Sequence, residues 1–382
     1  MQYIIWLIIL GIYITFTSCQ NDVNSEAFDT SQAVTIEIDP QKFQEIRWLD
    51  TNKVDFIFFP LVEEHPFGNI GKVIFRDRKI FIMPLGMDKV FIYTDRGEAY
   101  GIIGHYGAGP GEYLDLVDFD INSHAQQVIV SDAGNRKFIS YSYDGDFIAE
   151  KPVNFSIKMI KVYPTDHGIQ YIVDLRYSKI LPGQSEVYNI NLFDKNWEYI
   201  KGYFPFAQPR GGMFGNPHML FSQSETCIGY YKPFTDSIFH FTDNEMAIAY
   251  YLKFPKPVLP YEDFGKSQYG SNIDQIYNIT YDESPSYLLL GYMYQGEIYE
   301  LLYDKVESKI EYFTSYPKDG SCSQRIFSHI LGLHGSKLVI QSDPLNVDCV
   351  IDVFKENLTY EQITALNKLK EVDNNFLILV QL

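Results

Sequence analysis

The sequence predicts an all-β protein in which six four-stranded antiparallel sheets, the blades, form a ring as a six-bladed β-propeller. Aromatic residues make up 16% of the chain, and such residues suit the pleated, half-buried surface of a sheet. A pattern in which an aromatic residue closes a strand and an aspartate follows recurs at intervals of roughly fifty residues, a period typical of radial repeats. No long amphipathic helix interrupts the alternating strand-like runs before residue 359.

The N-terminus carries the features of an export signal. No side chain from Met1 to Asn21 is charged, and the apolar core Tyr3–Phe16 is shorter than the ~20 residues that span a bilayer. Small residues precede Cys19 and polar residues follow it, so this segment resembles the lipobox of bacterial lipoproteins. We therefore expect a signal peptide over 1–18, lipidation of Cys19 and a flexible linker over 19–32. An uncleaved N-terminal anchor helix is the alternative.

The remaining residues, 33–382, are predicted to form the propeller. The aromatic–aspartate pattern is a hairpin between two strands, because aspartate and asparagine satisfy turn backbone and tolerate left-handed conformations. Two further strand-like runs precede each hairpin, which gives four strands per blade. The hairpin sequences are KVFIYTDRGEAYGII (89–103), KFISYSYDGDFIAE (137–150), VYNINLFDKNWEYIKGY (187–203), DSIFHFTDNEMAIAYYL (236–252) and EIYELLYDKVESKIEYF (297–313).

The sixth blade is assembled from the C-terminal part of the chain. HILGL (329–333), KLVIQS (337–342) and NFLILVQL (375–382) supply three strands. We expect the N-terminal run AVTIEID (33–39) to supply the fourth, since a blade shared by both chain ends closes the ring without a free edge. The segment 358–370, with Thr359 as its cap, is predicted to be a short helix inserted in this blade.

The glycine-dense stretch GHYGAGPGEY (104–113) raises the question of a phosphate-binding loop. A Walker loop requires GxxxxGK[ST], and here Pro110 and Gly111 follow Gly109. Proline also removes an amide donor that would face an anion. A dinucleotide fingerprint would open a helix, but the residues that follow alternate as a strand. The stretch is therefore predicted to be a crossover between two blades.

Charge and cysteine content limit the partners. The net charge of −18 opposes binding to a phosphate backbone, so we expect no nucleic-acid partner. After Cys19 three cysteines remain, which allows at most one disulfide. None shows CxxC spacing, so the favoured interpretation is that they are small buried hydrophobes. Export makes oxidation feasible, and Cys322 and Cys349 are then the pair to test first, with Cys227 as the remaining thiol.

One segment resembles a known repeat family. Residues 128–148 are similar to an NHL repeat, and the resemblance rests on Asp132, Gly134, Asn135, Arg136, Tyr143, Asp144 and Gly145. With the GxGPGEY stretch and the TDSIF segment (235–239), most of the mature chain resembles the six-bladed β-propeller lipoproteins of Bacteroides-type bacteria. The resemblance implies a propeller in the cell envelope, anchored to the outer membrane. Most members of that group have no assigned reaction.

Candidate binding residues are arginines and tyrosines on loops, because arginine offers bidentate contacts to carboxylates or sulfates and aromatic rings serve as platforms for sugars or peptides. They are Arg176, Tyr177, Arg210, Tyr231, Tyr294 and Arg325. His218 and His329, each near the start of an inner-strand candidate, are the weak candidates for a metal in the central tunnel. Asp118 and Asp120 share one side of a strand, as a glycosidase pair would, but the default expectation for them is a solvated surface.

These observations favour a lipid-anchored propeller that binds an extracellular glycan or peptide where the inner strands converge, since ligands favour concave junctions. No catalytic residue and no cofactor are predicted. The resemblance leaves open an alternative, an NHL-like lyase or lactonase that holds calcium or zinc in the tunnel. A third interpretation is a docking scaffold for an envelope protein partner.

Overall fold

Six sheets of four strands arranged in a ring confirm the predicted fold. The computed structural model describes residues 28–39, 53–62, 66–155, 157–165, 168–177, 187–206, 220–222, 228–242, 245–263, 273–315, 320–369 and 373–382. Two N-terminal strands, β1 (Val34–Glu37) and β2 (Val54–Ile57), come first in the chain. They join blades that are formed much later in the sequence.

The first three blades follow in chain order. Blade 1 contains β3 (Ile70–Arg76), β4 (Lys79–Pro84), β5 (Val90–Thr94) and β6 (Ala99–Ile103). Blade 2 contains β7 (Leu116–Asn122), β8 (Gln127–Asp132), β9 (Lys137–Ser142) and β10 (Phe147–Pro152). Blade 3 contains β11 (Met159–Thr165), β12 (Gly168–Asp174), β13 (Val187–Phe193) and β14 (Tyr199–Phe206).

The last three blades complete the ring. Blade 4 contains β15 (Ile228–Tyr231), β16 (Ser237–Thr242), β17 (Glu245–Lys253) and, outermost, β1. Blade 5 contains β18 (Tyr277–Glu283), β19 (Tyr287–Tyr294), β20 (Glu297–Asp304) and β21 (Lys309–Ser315). Blade 6 contains β22 (Ile330–His334), β23 (Lys337–Ser342), β24 (Phe376–Gln381) and, outermost, β2. The predicted aromatic–aspartate hairpins join the third and fourth strands of blades 1, 2, 3 and 5, and they join β16 and β17 in blade 4.

The closure of the ring differs from the prediction in one respect. An N-terminal strand does close blade 6, but it is β2, which pairs antiparallel with β24. The predicted run, 33–39, instead forms β1 and pairs in parallel with β17. Both runs are short and contain strand-forming residues, VTIE and VDFI, and an outer edge accepts either one. The path of the chain, rather than the local sequence pattern, therefore decides the pairing.

Blade 4 carries an extra segment at its inner edge. Phe221 forms a bridge with Tyr230 on the side of β15 away from β16, and the N–H of Tyr231 donates to the carbonyl of Leu220. Residues 220–222 therefore occupy the innermost position of blade 4, and β15 is its second strand. By the same count β1 is a fifth, added strand.

Three short helices belong to the last blade. α1 (Cys322–Phe327) precedes β22, and α2 (Val347–Phe354) and α3 (Tyr360–Leu366) lie between β23 and β24. Thr359 caps α3 through a capping box with Gln362, as the predicted cap requires. The helices α1 and α2 were not predicted: α1 has only six residues, and the β-branched residues of α2 (VDCVIDVF) are typical of a strand.

Polar side chains connect the inner strands of neighbouring blades. An inner strand has a free edge, so its outward N–H and C=O groups need partners. Asp118 accepts the N–H of Ile160 at 2.9 Å, and Asp282 accepts the N–H of Leu333 at 2.7 Å. Lys72 donates to the carbonyl of Phe119 at 2.6 Å. These bonds hold the inner edge of the ring together where no strand pairs with it.

The hairpin glycines of blades 1 and 2 lie against the preceding blade. A Cβ on Gly97 would come within 2.2 Å of the Phe58 carbonyl oxygen, and one on Gly145 within 2.4 Å of the Ile102 carbonyl oxygen. Both glycines have left-handed φ values, +85° and +91°. They combine a turn conformation that favours glycine with a close backbone approach.

We expect Gly145→Ala to destabilise the protein by about 2 kcal/mol more than Gly86→Ala. Gly86 is the matched control: its φ is +74°, yet nothing lies within 4 Å of its added Cβ. Both changes carry the left-handed strain, but only Gly145→Ala forces a blade apart from its neighbour. Urea unfolding of the two variants measures the difference, and equal midpoints would show that the contact with Ile102 is unimportant.

Candidate functional site

The propeller has two different faces. The connections from one blade to the next, and the loops between second and third strands, lie on one face, which we call the crossover face. The hairpin turns between first and second strands, and between third and fourth strands, lie on the other, which we call the turn face. The stretch 104–113 connects β6 to β7 on the crossover face and opens no helix.

The glycine-dense crossover is filled by its own carboxylate. Glu112 accepts the N–H of Gly109 at 2.8 Å, and a Cβ on Gly107 would overlap the Glu112 carboxylate. Tyr141 donates to the carbonyl of Gly111 at 2.7 Å. The position that an anion would take in a phosphate loop is therefore occupied from within the chain, and the predicted crossover is confirmed.

Charged side chains line the tunnel where the inner strands converge. Asp118, Asp120 and Asp282 are buried, which corrects the expectation of a solvated surface for Asp118 and Asp120. Asp118 also pairs with Lys72 at 2.7 Å, and Asp120 accepts the N–H of Val162 at 2.7 Å. Because the two carboxylates are engaged with backbone amides of the next blade, their contacts are those of strand connectors rather than of a glycosidase pair.

Lys161 of β11 is a buried cation of the tunnel, 2% exposed. Burial, together with the charges of Lys72 and Arg76, lowers the pKa of Lys161 to about 8. Asp120 opposes this shift, and its Oδ2 lies 3.8 Å from the Lys161 ammonium. The tunnel thus holds three cations from blades 1 and 3 between carboxylates from blades 2 and 5.

At the crossover end of the tunnel, four blades contribute to one group of side chains. We call this group the mouth cluster. It consists of Lys72 from blade 1, Asp118 from blade 2, Asp174 and Arg176 from blade 3, and Tyr230 from blade 4. Arg176 follows β12 with a left-handed φ of 49°, and its charge interacts with Asp174 and with Asp118 across the mouth. The backbone turn thereby directs a guanidinium from blade 3 toward the inner strand of blade 2.

Asp174 is the titrating member of the mouth cluster. It is 1% exposed, and burial raises its pKa to about 6, although the N–H and the charge of Arg176 favour the ionised form. The N–H of Arg176 donates to Asp174 at 2.6 Å, and Asn189 donates to the Tyr230 hydroxyl at 3.2 Å. Asp174 therefore changes its charge close to neutral pH, next to the guanidinium.

The predicted candidates that the structure describes lie on the crossover face, and of these only Arg176 reaches the tunnel mouth. Tyr177 and Tyr231 are 3% and 2% exposed, so the prediction that they form an exposed aromatic platform is wrong. The N–H of Tyr177 donates to Asn189, and the hydroxyl of Tyr231 donates to the Thr235 carbonyl. Both tyrosines are therefore buried residues that stabilise the loops after β12 and β15.

Other candidates are accessible but separate from the mouth cluster. Tyr294 donates to Asp274 at 2.8 Å beside the Lys256–Asp274 ion pair. Arg325 lies exposed on α1, and His329 lies exposed before β22. Cys19, Arg210 and His218 lie outside the described residues.

Within the described ranges, no group of three His, Cys, Asp or Glu side chains is arranged to hold a metal ion. None of the helices in these ranges is long and apolar enough to cross a membrane. Cys322 of α1 is bonded to Cys349 of α2, the pair that the sequence singles out for testing, so these two cysteines are not the unpaired hydrophobes that the sequence favours. The bond connects the crossover into blade 6 with the helical insertion of the same blade.

Sequence reasoning missed Lys72, Lys161 and Asp174. A signal for the first two was present, since each is a lysine inside a largely apolar first strand, where a charge needs a partner to be buried. Tyr230 was read as a sheet residue or a platform, and only the convergence of blades shows its hydroxyl beside Asp174. Asp174 gave no local signal, because it ends a strand like many turn aspartates.

Fold and site define a six-bladed β-propeller with a charged tunnel and a half-buried arginine, Arg176, in the mouth cluster. A family model, described as a domain of unknown function (DUF4934), matches residues 63–381. The chain belongs to this DUF4934 family. No curated protein matches the sequence.

Two solved structures share the fold. One is a Bacteroides fragilis protein described as exported, with 19% identity, a TM-score of 0.74, and coverage of 91% of this chain and 99% of that chain. The other is a DUF4221 family member from Bacteroides vulgatus, with 11% identity, a TM-score of 0.50, and coverage of 87% and 98%. At these identities the likeness concerns the fold.

Proposed function

We propose that the protein is an exported, lipid-anchored β-propeller of the cell envelope that binds an anionic extracellular glycan or peptide at the mouth cluster. The export signal and Cys19 support the location, as does the similarity to an exported Bacteroides protein. We include in this proposal that the propeller is of the NHL-repeat type and that its membrane is the outer membrane. The ligand is one that bears carboxylate or sulfate groups.

The observation that carries this proposal is the exposure pattern of the mouth cluster. Lys72, Asp118, Asp174 and Tyr230 are each at most 4% exposed, whereas Arg176 is half-buried. The buried carboxylates have donors within the protein, including Lys72 and the N–H of Arg176. Arg176 is therefore the member of the cluster that solvent reaches, and a planar guanidinium in a cleft suits carboxylate or sulfate oxygens.

The test is a binding screen with Arg176→Gln. Thermal stabilisation by uronic-acid oligosaccharides, sulfated oligosaccharides, neutral oligosaccharides and acidic peptides identifies the class of ligand. We expect an anionic ligand to stabilise the wild type, and Arg176→Gln to weaken its binding about 10- to 100-fold, measured by calorimetry.

Arg78→Gln is the matched control. Arg78 also has a left-handed φ, 58°, but its side chain is 82% exposed on the turn face, where it pairs with Asp95. Its replacement is expected to leave the affinity unchanged. Equal affinity of wild type and Arg176→Gln, or stabilisation by neutral ligands alone, would contradict an anion site at the mouth.

A further inference from the structure

The added strand β1 determines where the N-terminal part of the chain leaves the propeller. Its parallel register aligns Val34 with Tyr250 and Glu37 with Lys253. Strand β17 ends at Lys253, from which the chain crosses to blade 5. Glu37 therefore lies at the crossover face, and the residues that precede Val34 lie toward the turn face.

Two residues, Phe28 and Asp29, hold the chain at that end. The N–H of Ile248 donates to the carbonyl of Asp29 at 3.0 Å. The ring of Phe28 lies 4.9 Å from that of Phe239 in blade 4 and 5.4 Å from that of Phe204 in blade 3. Phe28 and Asp29 fall inside the predicted linker, 19–32, but they pack against the propeller.

The chain length between this point and Cys19 limits the distance to the membrane. Nine residue steps separate Phe28 from Cys19, and an extended chain of that length spans at most about 30 Å. A nine-residue strand such as β17 is itself about 30 Å long. Bringing the crossover face to the membrane would require the linker to run back, fully extended, along the whole blade, at a high cost in conformational entropy.

We propose that the turn face is directed toward the bilayer that holds the protein's own anchor, and that the mouth cluster is directed away from it. This orientation rests on the proposed anchor at Cys19, and an uncleaved N-terminal helix would impose it equally. The turn face carries charges of both signs, among them Arg78, Asp95 and Lys305. The short tether, rather than attraction to anionic lipid, therefore sets the orientation.

The experiment compares one labelled position on each face. Val306, in the turn between β20 and β21, is 77% exposed, and Leu345, between β23 and β24, is 71% exposed. In a Cys227→Ser background, Val306→Cys or Leu345→Cys carries a donor dye, and the lipidated full-length protein is reconstituted into vesicles that contain an acceptor-labelled lipid. We expect at least twofold stronger energy transfer from position 306 than from position 345.

Flotation separates the two ways in which the proposal can fail. If the vesicle-bound protein shows equal transfer from both positions, or stronger transfer from position 345, the orientation is wrong while the anchor stands. If the protein does not float with the vesicles, the anchor itself is wrong, and the orientation falls with it. Cys19→Ala should abolish flotation; if the variant still floats, the anchor is the uncleaved segment, and the comparison of the two faces still decides the orientation.

Discussion

Replacing Glu283 with glutamine is expected to lower the free energy of unfolding by about 3 kcal/mol at pH 7, because it breaks a buried ionic network between two blades. The Glu283 side chain is 1% exposed, and Lys305 lies 2.6 Å from its Oε1. His240 lies 2.8 Å from its Oε2. Tyr250 donates to Oε1 at 3.0 Å, and Tyr281 donates to Oε2.

The network joins blade 4 to blade 5 near the turn face. His240 and Tyr250 come from β16 and β17, whereas Tyr281 and Glu283 end β18, the inner strand of the next blade. A glutamine at this position would present an N–H₂ group to side chains that donate, and it would leave Lys305 without its counter-charge. The change therefore removes the attraction and adds unpaired donors at a blade interface.

The pH dependence of this effect has a defined sign. Burial alone would raise the pKa of Glu283, but the hydrogen bond and charge of His240 and the charge of Lys305 outweigh it and lower the pKa to about 2. The folded pKa thus lies below the ordinary value of 4.5. As the pH falls, the unfolded chain takes up the proton first, so the contribution is complete above the unfolded pKa and is lost toward pH 2.

Urea unfolding at pH 7, 5 and 3 tests both statements. The difference between wild type and Glu283→Gln should be largest at pH 7 and should shrink to less than about half at pH 3. Glu37→Gln is the control, since Glu37 pairs with Lys253 at 2.7 Å but both side chains are mostly exposed. It should leave stability unchanged within error. A difference for Glu283→Gln that does not vary with pH would show that the carboxylate is not the source of the stability.

The repeat in the sequence was sufficient to predict the number of blades and most of their strands. Each hairpin is a local structure whose apolar alternation and turn residues agree, so the pattern and the fold coincide. The strands predicted for blade 6 and the Thr359 cap were found for the same reason. The exchange of β1 and β2 was not predictable, because pairing at an outer edge depends on contacts more than two hundred residues apart.

The candidate site was predictable only in part. Arg176 could be chosen because it is an arginine directly after a strand. Its buried partners could not be, since the need for acceptors at the free edge of an inner strand is visible only when the ring is assembled. Asp118 and Asp120 illustrate this: in a chain with a net charge of −18, an aspartate is expected at the surface, yet these two accept amides of the next blade.

Loss of the disulfide has the second large expected effect. The bond closes a loop of 27 residues between Cys322 and Cys349, and in the chain-entropy model such a loop stabilises the folded state by about 3.5 kcal/mol. Contacts that do not depend on the bond remain: the rings of Phe327 and Phe354 lie 6.1 Å apart between α1 and α2. We therefore expect the double variant Cys322→Ser, Cys349→Ser to fold but to unfold at a clearly lower urea concentration.

A reductant provides the internal control for this experiment. Treatment with a phosphine should lower the unfolding midpoint of the wild type to that of the double variant, and it should leave the double variant unchanged. If the phosphine lowered both midpoints, the effect would come from another site; if it lowered neither, the bond would not stabilise the fold. The same bond also bears on location, because disulfides persist outside the reducing cytoplasm. Protein taken from the envelope should therefore yield the linked peptides of Cys322 and Cys349 by mass spectrometry, whereas free thiols at both positions would argue against export.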